Sequence, residues 1–300
     1  MAGRILFSGA SGMLGAALRH SLAAEFETFQ LVRRQPNTTT EIEWSPERAR
    51  SFTSTEPLEG LTAAIHLSGA NLAGHRWTPA YKRELVESRI GSTHALARAL
   101  AQLSRPPQAL LVASGTGIYG NRGDALLDES AAPGTGFLAD LCRAWEEAAQ
   151  PAAAAGIRVV HLRCGLVLGP GGGALGKMLP IFRLGLGGPL GNGRQWMSWI
   201  ALADLIVAVR FLLSGTKLAG PINIVAPEPV TNAEFARAIG RAVHRPAILP
   251  APAFALRLAL GEMADEALLA GARVVPKRLL DAGFPFSYPR IDEALREAVA

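Results

Sequence analysis

Cysteine is scarce in this chain, and its scarcity excludes two classes of protein. The 300 residues include two cysteines, Cys142 and Cys164, and neither lies in a C-x-x-C pair or in a Cys/His cluster. Two separated thiols cannot build a disulfide framework, and they do not form the ligand sets that zinc requires. We therefore expect no bound metal and a reducing, cytoplasmic location.

Long apolar runs and basic runs are also lacking. No stretch approaches the roughly 18 uninterrupted apolar residues of a membrane helix, and the first residues enter a strand without the charged and apolar regions of a signal peptide. Lysine is limited to four residues, and the arginines are dispersed along the chain. The sequence therefore predicts neither a membrane nor a nucleic-acid partner.

Apolar residues, by contrast, make up 49% of the sequence, and charged residues make up 18%. This balance is typical of a compact globular chain rather than a disordered one. At 300 residues the chain can bury one large α/β core, alone or with a smaller appended lobe.

Residues 5–15 read ILFSGASGMLG, and an Ala/Leu-rich segment follows at helical spacing. This pattern of strand, tight turn and helix can hold a nucleotide pyrophosphate, because glycine permits close backbone approach and a helix N-terminus attracts anions. A glycine turn also serves ordinary strand–helix packing, and that alternative stays open. The residues expected to contact a cofactor here are Gly9, Ser11, Gly12, Met13, Leu14 and Gly15.

Two adjacent arginines, Arg33 and Arg34, follow the next strand candidate at residues 29–32. An acidic side chain in this position would bind the adenosine ribose hydroxyls of NAD, whereas arginines would pair with the additional phosphate of NADP. The arginine pair therefore favours NADP(H). The alternative is that both side chains are simply solvated at the end of the strand.

Further cofactor contacts are predicted where the strand at residues 63–67 runs into small residues. Small side chains at a strand end let a cofactor lie across the sheet edge, although an ordinary turn has the same composition. The helix that follows Thr78 carries two charged residues that we assign to the same site, although a solvated helix charge is the default. The residues expected here are Leu67, Ser68, Gly69, Glu84 and Arg89.

A block of hydroxyl residues and glycines, Ser114 to Gly120, follows the apolar strand at residues 109–113. Ligands of open α/β sheets bind at such strand ends. The alternation of strands and helices predicts an α/β fold, a Rossmann-like doubly wound parallel sheet with a smaller C-terminal α/β substrate lobe. We place the NADP-binding domain at residues 1–165, with a contribution from residues 194–225, and the substrate and lid lobe at residues 166–300.

From end to end, the chain resembles the extended short-chain dehydrogenase/reductase superfamily, and more narrowly its atypical epimerase-family, cell-division-inhibitor-related branch. The glycine turn and the Ser-Gly-Thr-Gly-Ile-Tyr-Gly block carry the resemblance. So do the run Leu-Gly-Leu-Gly-Gly-Pro-Leu-Gly-Asn-Gly-Arg-Gln-Trp-Met-Ser-Trp-Ile and the segment Val-Pro-Lys-Arg-Leu-Leu-Asp-Ala-Gly-Phe. The resemblance implies a Rossmann-like domain that binds NADP(H) and a C-terminal substrate lobe.

The sequence departs from that superfamily at its catalytic pair. Members use a Ser/Thr, a Tyr as general acid/base, and a Lys four residues later that lowers the pKa of the Tyr. This chain has no Tyr-x-x-x-Lys, and alignment of the relevant helix puts Leu138 and Cys142 in the two places. We assign the catalytic end of the site to Ser114, Thr116 and Tyr119, with a packed, locally satisfied Tyr119 as the alternative.

A second departure places Arg89 where many extended members have Asn. A fixed positive charge there suits an anionic small-molecule substrate. Two functions fit these residues. One is an NADP(H)-dependent oxidoreductase or epimerase-like enzyme with altered chemistry, and the other is a non-catalytic NADP(H)-binding regulatory or redox-sensing protein. An ordinary sugar-nucleotide epimerase is less favoured, because it would need the tyrosine base.

Overall fold

The computed structural model describes residues 3–47, 52, 54–170 and 172–299. The strands are β1 Gly3–Ser8, β2 Phe26–Val32, β3 Glu41–Glu43, β4 Ala63–His66, β5 Ala109–Gly115, β6 Leu126–Leu127, β7 Arg158–Cys164, β8 Leu166–Leu168, β9 Trp196–Met197, β10 Trp199–Ala201, β11 Gly220–Ile224, β12 Val230–Thr231 and β13 Arg273–Val274. The α-helices are α1 Met13–Leu22, α2 Pro79–Val86, α3 Ser92–Ala101, α4 Phe137–Glu147, α5 Gln150–Ala154, α6 Gly173–Arg183, α7 Leu202–Leu213, α8 Asn232–Ala242, α9 Ala253–Leu260, α10 Lys277–Asp281 and α11 Ile291–Val299.

Seven of the strands in the described residues form one sheet, in the order β11-β7-β5-β4-β1-β2-β3. β1 pairs in parallel with both β2 and β4, and the β2–β3 and β4–β5 pairs are also parallel. The chain winds outward in both directions from β1, which confirms the predicted Rossmann-like fold. In such sheets ligands bind outside the carboxyl ends of the strands beside that reversal.

The first strand and helix form as their sequence predicts. Ile5, Leu6 and Phe7 are completely buried in β1, as expected for a strand covered on both faces. α1 begins at Met13 and buries Leu18 and Leu22, which lie on one face at a spacing of four residues. The turn between β1 and α1 is therefore held between two well-packed elements.

The chain divides into two compact units. Unit 1 comprises Met1–Ser114, Arg143–Leu162 and Arg210–Pro221, and unit 2 comprises Gly115–Cys142, Arg163–Val209 and Ile222–Ala300. The predicted boundary after residue 165 lies close to Arg163, where the chain enters unit 2 for the second time. The assignment of one part to NADP and the other to a substrate stays a prediction.

Unit 2 contains short ladders rather than long strands. β8 pairs in parallel with β10, β6 pairs in parallel with β13, and β9 pairs antiparallel with β12. Thr231 caps the N-terminus of α8, because its Oγ1 accepts a hydrogen bond from the Glu234 backbone N–H. In return, Glu234 Oε2 accepts a hydrogen bond from the Thr231 backbone N–H at 2.7 Å, which completes a capping box.

Several elements are short or irregular. Residues 41–43 form the short edge strand β3. A π-helical turn at Glu87–Gly91 separates α2 from α3, and α4 and α5 follow each other as two separate helices. Pro151 lies at the start of α5, where its missing N–H is tolerated. In the described part of the chain, no helix is long and apolar enough to cross a bilayer.

Candidate functional site

The three glycines of the β1–α1 turn differ in whether the surrounding protein leaves room for a Cβ atom. Gly9 has a φ of +74°, and a Cβ there would come within 2.7 Å of the Leu67 backbone carbon. A Cβ on Gly15 would come within 2.8 Å of the Ala10 Cα. Gly12 has a φ of −72°, and the nearest neighbour of a Cβ there would be the Gly9 oxygen at 3.5 Å, an ordinary contact. Packing therefore requires glycine at Gly9 and Gly15 but not at Gly12.

A cleft of about 770 Å³, here called the glycine-turn cleft, lies beside Gly12 within unit 1. Gly12 is also the N-cap of α1, and in the described residues α1 has no side-chain cap and no acidic residue in its first turn. The helix N-terminus therefore keeps its unpaired N–H groups and partial positive charge. The cleft is lined by Gly9, Ala10, Ser11, Gly12, Arg19, Gln30, Leu31, Val32, Arg33, Arg34, Trp44, Leu67, Ser68 and Gly69.

Most of the cofactor residues predicted from the sequence share this lining. The structure brings together Gly9, Ser11, Gly12, Arg33, Arg34, Leu67, Ser68 and Gly69. Met13, Leu14 and Gly15 form the first turn of α1 beside it. Sequence reasoning missed Arg19, Gln30 and Trp44. A usable signal existed for Arg19, because it lies one helical turn after Gly15 on the same helix.

Arg34 is held by an acidic residue that the sequence analysis did not consider. Its Nη1 and Nη2 donate to Glu41 Oε2 at 2.8 Å and Oε1 at 2.6 Å. Glu41 also accepts hydrogen bonds from Gln30 Nε2 at 2.9 Å and from the Asn37 backbone N–H at 2.7 Å. The hydrogen bonds from Arg34 are the main reason that the pKa of Glu41 falls to about 2. Glu41 is therefore a carboxylate at any physiological pH.

Two further arginines complete this end of the cleft. Arg19 donates through Nη1 to Gln30 Oε1 at 2.5 Å, while its buried Nε has no hydrogen-bond partner in the described residues. Arg33 is exposed, and its side chain makes no hydrogen bond or ion pair among the residues that the structure describes. With Arg34 and Glu41, these groups carry two net positive charges. That charge complements a phosphate monoester, which bears close to two negative charges at neutral pH.

Glu84 lies at a second cleft, of about 530 Å³, that shares Arg33 and Gly69 with the first. Its side chain is exposed, and Glu47 and Glu87 are the other acidic residues in the lining. The structure thus places Glu84 beside the glycine-turn cleft rather than in it. Its membership of a cofactor site stays a prediction.

Arg89 is buried and contacts the protein backbone around the end of β4. Its Nη2 donates to the Ala70 carbonyl at 2.9 Å, and its Nη1 donates to the Leu85 carbonyl at 3.2 Å. A Cβ on Gly69 would lie 3.1 Å from Arg89 Cζ, and the guanidinium lies 5.1 Å from the centre of the Trp145 ring. Through these contacts Arg89 supports the loop that lines the cleft.

Ser114 is the penultimate residue of β5 and belongs to unit 1, where it is buried and donates its hydroxyl proton to Glu146 Oε1 at 2.8 Å. A serine hydroxyl has a single proton, so in this arrangement Ser114 has none left for a substrate carbonyl. Thr116 belongs to unit 2 and begins the short 3-10 helix Thr116–Tyr119.

Tyr119 in unit 2 is completely buried. Its hydroxyl donates to Asn223 Oδ1 at 2.7 Å and accepts from Arg163 Nη1 at 3.0 Å. Burial is the main cause of a raised pKa for the phenol. These are the contacts of the alternative interpretation, a packed tyrosine satisfied within the protein, and the phenol is not accessible to a ligand in this arrangement.

The two positions that replace the usual Tyr and Lys face the Gly115–Gly117 turn. A Cβ on Gly117 would lie 3.3 Å from Leu138 Cβ, and a Cβ on Gly115 would lie 3.7 Å from Cys142 Sγ. Both α4 side chains are buried. Leu138 cannot move a proton, and Cys142 cannot hold the positive charge that a lysine would supply.

Comparison with known proteins places this geometry among nicotinamide-dinucleotide folds. Residues 5–224 match the model of the NAD dependent epimerase/dehydratase family, and residues 251–298 match a domain of unknown function, DUF1731. The chain is similar to the epimerase family protein Mb2239 of Mycobacterium bovis, at 45% identity over 97% of this chain and 96% of the relative. It is 36% identical to human epimerase family protein SDR39U1, over 99% of this chain and 100% of the relative.

Solved structures give the same result. The crystal structure of human SDR39U1 (isoform 2) with NADPH superposes with a TM-score of 0.90 at 35% identity, covering 98% of each chain. The nucleoside-diphosphate sugar epimerase from Corynebacterium glutamicum superposes with a TM-score of 0.82 at 31% identity, covering 100% of this chain and 58% of the other.

Proposed function

Because the chain belongs to the NAD dependent epimerase/dehydratase family, we propose that it binds NADP(H) in the glycine-turn cleft and acts as an oxidoreductase or epimerase-like enzyme. The observation that carries the proposal is Gly12. Packing does not require a glycine there, yet the residue borders an open cleft at an uncapped helix N-terminus. A close-approaching pyrophosphate accounts for both facts.

The arginines support NADP(H) rather than NAD(H). Arg19, Arg33 and Arg34 line one end of the cleft, and Glu41 offsets one of their three positive charges. A guanidinium presents several donors in a fork that fits phosphate geometry. The human relative whose structure was solved with NADPH is consistent with this choice.

The chemistry of the enzyme must differ from the usual Tyr/Lys mechanism. When bound, the nicotinamide supplies or accepts a hydride, so the protein's own task is to orient the substrate and move a proton. Leu138 stands where the tyrosine would be, and Ser114 directs its proton to Glu146. General acid/base catalysis typically contributes about 10²- to 10⁴-fold, so we expect correspondingly slow turnover of simple carbonyl compounds.

A second function is favoured by the burial of Tyr119. A phenol held by Asn223 and Arg163 inside unit 2 serves the fold rather than proton transfer. A protein that keeps the cofactor cleft without an accessible proton donor fits an NADP(H)-binding regulator or redox sensor.

Native mass spectrometry of protein purified without added ligand tests the cofactor proposal. We expect NADP(H) to be retained, or to bind on titration with higher affinity than NAD(H). A panel of anionic carbonyl compounds assayed with NADPH then separates the two functions. Turnover supports the enzyme and a silent panel supports the regulator, while failure to bind either dinucleotide contradicts both.

A further inference from the structure

A buried chain of hydroxyl groups and one imidazole runs behind the glycine-turn cleft, within unit 1. His66 ends β4 and is completely buried. Its Nδ1 lies 2.9 Å from Ser8 Oγ, and its Nε2 lies 3.2 Å from Ser92 Oγ. Ser8 Oγ also hydrogen bonds to Ser68 Oγ, and Ser68 lines the cleft. This series of hydrogen bonds thus links α3 to the cleft.

The donor and acceptor of each hydrogen bond in this series follow from Ser92, the residue at its α3 end. Ser92 Oγ lies 2.7 Å from the Ser88 carbonyl oxygen, which can only accept. The single proton of Ser92 is used there, so toward His66 the Ser92 oxygen can only accept. Nε2 of His66 must therefore carry a hydrogen. Burial lowers the pKa of His66 to about 3, so the ring is neutral and Nδ1 is an acceptor.

The same reasoning extends to the cleft. Nδ1 of His66 accepts the hydroxyl proton of Ser8, so the Ser8 oxygen can only accept from Ser68. The proton of Ser68 consequently points into the protein. Ser68 is half-buried at the cleft, and what its oxygen can still offer to a ligand is a lone pair.

We infer that His66 is a positioning residue that fixes the Ser68 hydroxyl as a hydrogen-bond acceptor for a ribose hydroxyl of the bound dinucleotide. This inference rests on the proposed function. An unconstrained serine can donate or accept, and it would pair equally well with phosphate oxygens. A serine fixed as an acceptor pairs with ligand groups that carry a proton, which ribose hydroxyls do and ionised phosphate oxygens do not.

Nitrogen NMR of histidine-labelled protein tests the ordering, with the His66 signals assigned by their loss in His66→Gln. We expect the parent protein to show the Nε2–H tautomer. Ser92→Ala removes the acceptor for that hydrogen and should allow the Nδ1–H tautomer to appear, which a purely space-filling role for Ser92 would not produce. A parent protein with hydrogen on Nδ1 of His66 overturns the inference.

NADPH titrations test the consequence at the cleft. Ser68→Ala should weaken NADPH about fivefold, as expected for the loss of one neutral hydrogen bond, and Ser68→Thr should keep the affinity. Ser8→Ala frees the Ser68 hydroxyl to rotate, so Ser68→Ala should cost less affinity in that background than in the parent.

If the parent binds NADPH and Ser68→Ala binds it with the same affinity, the inference about Ser68 is overturned and the proposed function is not. A parent that binds no NADPH overturns the proposed function. In that case the tautomer of His66 still shows whether the buried hydrogen bonds have the direction described above.

Discussion

The Arg34 guanidinium and the Glu41 carboxylate face each other through two hydrogen bonds, from Nη2 at 2.6 Å and from Nη1 at 2.8 Å. One edge of the Arg34 fork is therefore occupied before any ligand arrives. Arg33 lines the same cleft, and its side chain makes no hydrogen bond or ion pair within the part of the chain that the structure describes. Arg34 thus balances the buried Glu41 carboxylate, and we propose that both arginines face the additional phosphate of NADP(H), Arg34 with the donors that Glu41 does not occupy.

Arg34→Ala should weaken NADPH about tenfold or more and spare NADH. The substitution removes a charge-assisted contact of about 1.5 to 3 kcal/mol, and it also leaves the Glu41 carboxylate in the cleft without its positively charged partner. Calorimetric titration of both cofactors measures the effect. The parent should already prefer NADPH, so equal affinities for the two cofactors in the parent would contradict the assignment.

The double variant Arg34→Ala with Glu41→Ala separates the two causes. Removal of the carboxylate should restore part of the NADPH affinity, because repulsion of the phosphate disappears with it. Arg33→Ala in the parent background should weaken NADPH without any such rescue. If removal of Glu41 gives no recovery, then the carboxylate does not act on the phosphate.

Gly12→Val should abolish NADPH binding and leave the fold intact. The backbone of Gly12 suits any residue, and a Cβ would find its nearest protein neighbour at 3.5 Å, so the added atoms occupy the cleft where the pyrophosphate must approach. Circular dichroism and thermal unfolding monitor the fold, and calorimetry monitors binding. A Gly12→Val protein that still binds NADPH normally would leave the turn with a packing role only.

Gly15→Ala is the matched control. A Cβ there would come within 2.8 Å of the Ala10 Cα, so this smaller substitution should lower the free energy of unfolding. Contrasting results from the two glycines would separate the ligand's requirement from that of packing. If Gly12→Val and Gly15→Ala had the same effects on binding and stability, the space around each Cβ would not determine which property the substitution changes.

Much of the lining of the glycine-turn cleft could be predicted because its signals are local. Gly9, Arg33 and Ser68 each follow an apolar strand, and strand ends can be located from composition and spacing. Glu41 could not be found in this way, because its role depends on β3, a strand of three residues. Its partner in the β2–β3 register is Gln30, and nothing in the sequence near Arg34 indicates that pairing.

Tyr119 shows more clearly what cannot be predicted from the sequence. The sequence correctly places a tyrosine just after a central strand, but its environment depends on Asn223, which lies 104 residues away. Whether a phenol points to solvent or into a core is set by such distant partners. Alignment to the superfamily predicted that the usual catalytic pair is missing, and only tertiary structure could show what Tyr119 does instead.

Acid should destabilise the protein in two stages. The neutral buried ring of His66 has a pKa of about 3, below its ordinary 6.5, so its contribution is complete above pH 6.5 and is lost as the pH falls toward 3. The pKa of Glu41, about 2 against an ordinary 4.5, adds a second loss below pH 4.5. Each proton taken up on unfolding gives a slope of about 1.4 kcal/mol per pH unit.

Urea unfolding across pH 3 to 8 measures this dependence. His66→Gln should flatten the slope between pH 4.5 and 6.5, while Glu41→Gln should change it only below that range. A histidine variant whose slope in the upper window matches the parent would show that His66 titrates normally in the folded protein.

Tyr119→Phe should leave NADPH affinity and any NADPH-dependent turnover unchanged while lowering the free energy of unfolding. The hydroxyl is enclosed in unit 2, and its removal takes one hydrogen-bond partner each from Asn223 and Arg163. Leaving such buried groups short of a partner costs about 1 to 3 kcal/mol, which urea unfolding can resolve. A catalytic phenol would give the opposite pattern, because its loss would reduce turnover by about 10² or more and would barely change stability. Reduced turnover with parental stability would therefore return Tyr119 to the reaction as its proton donor.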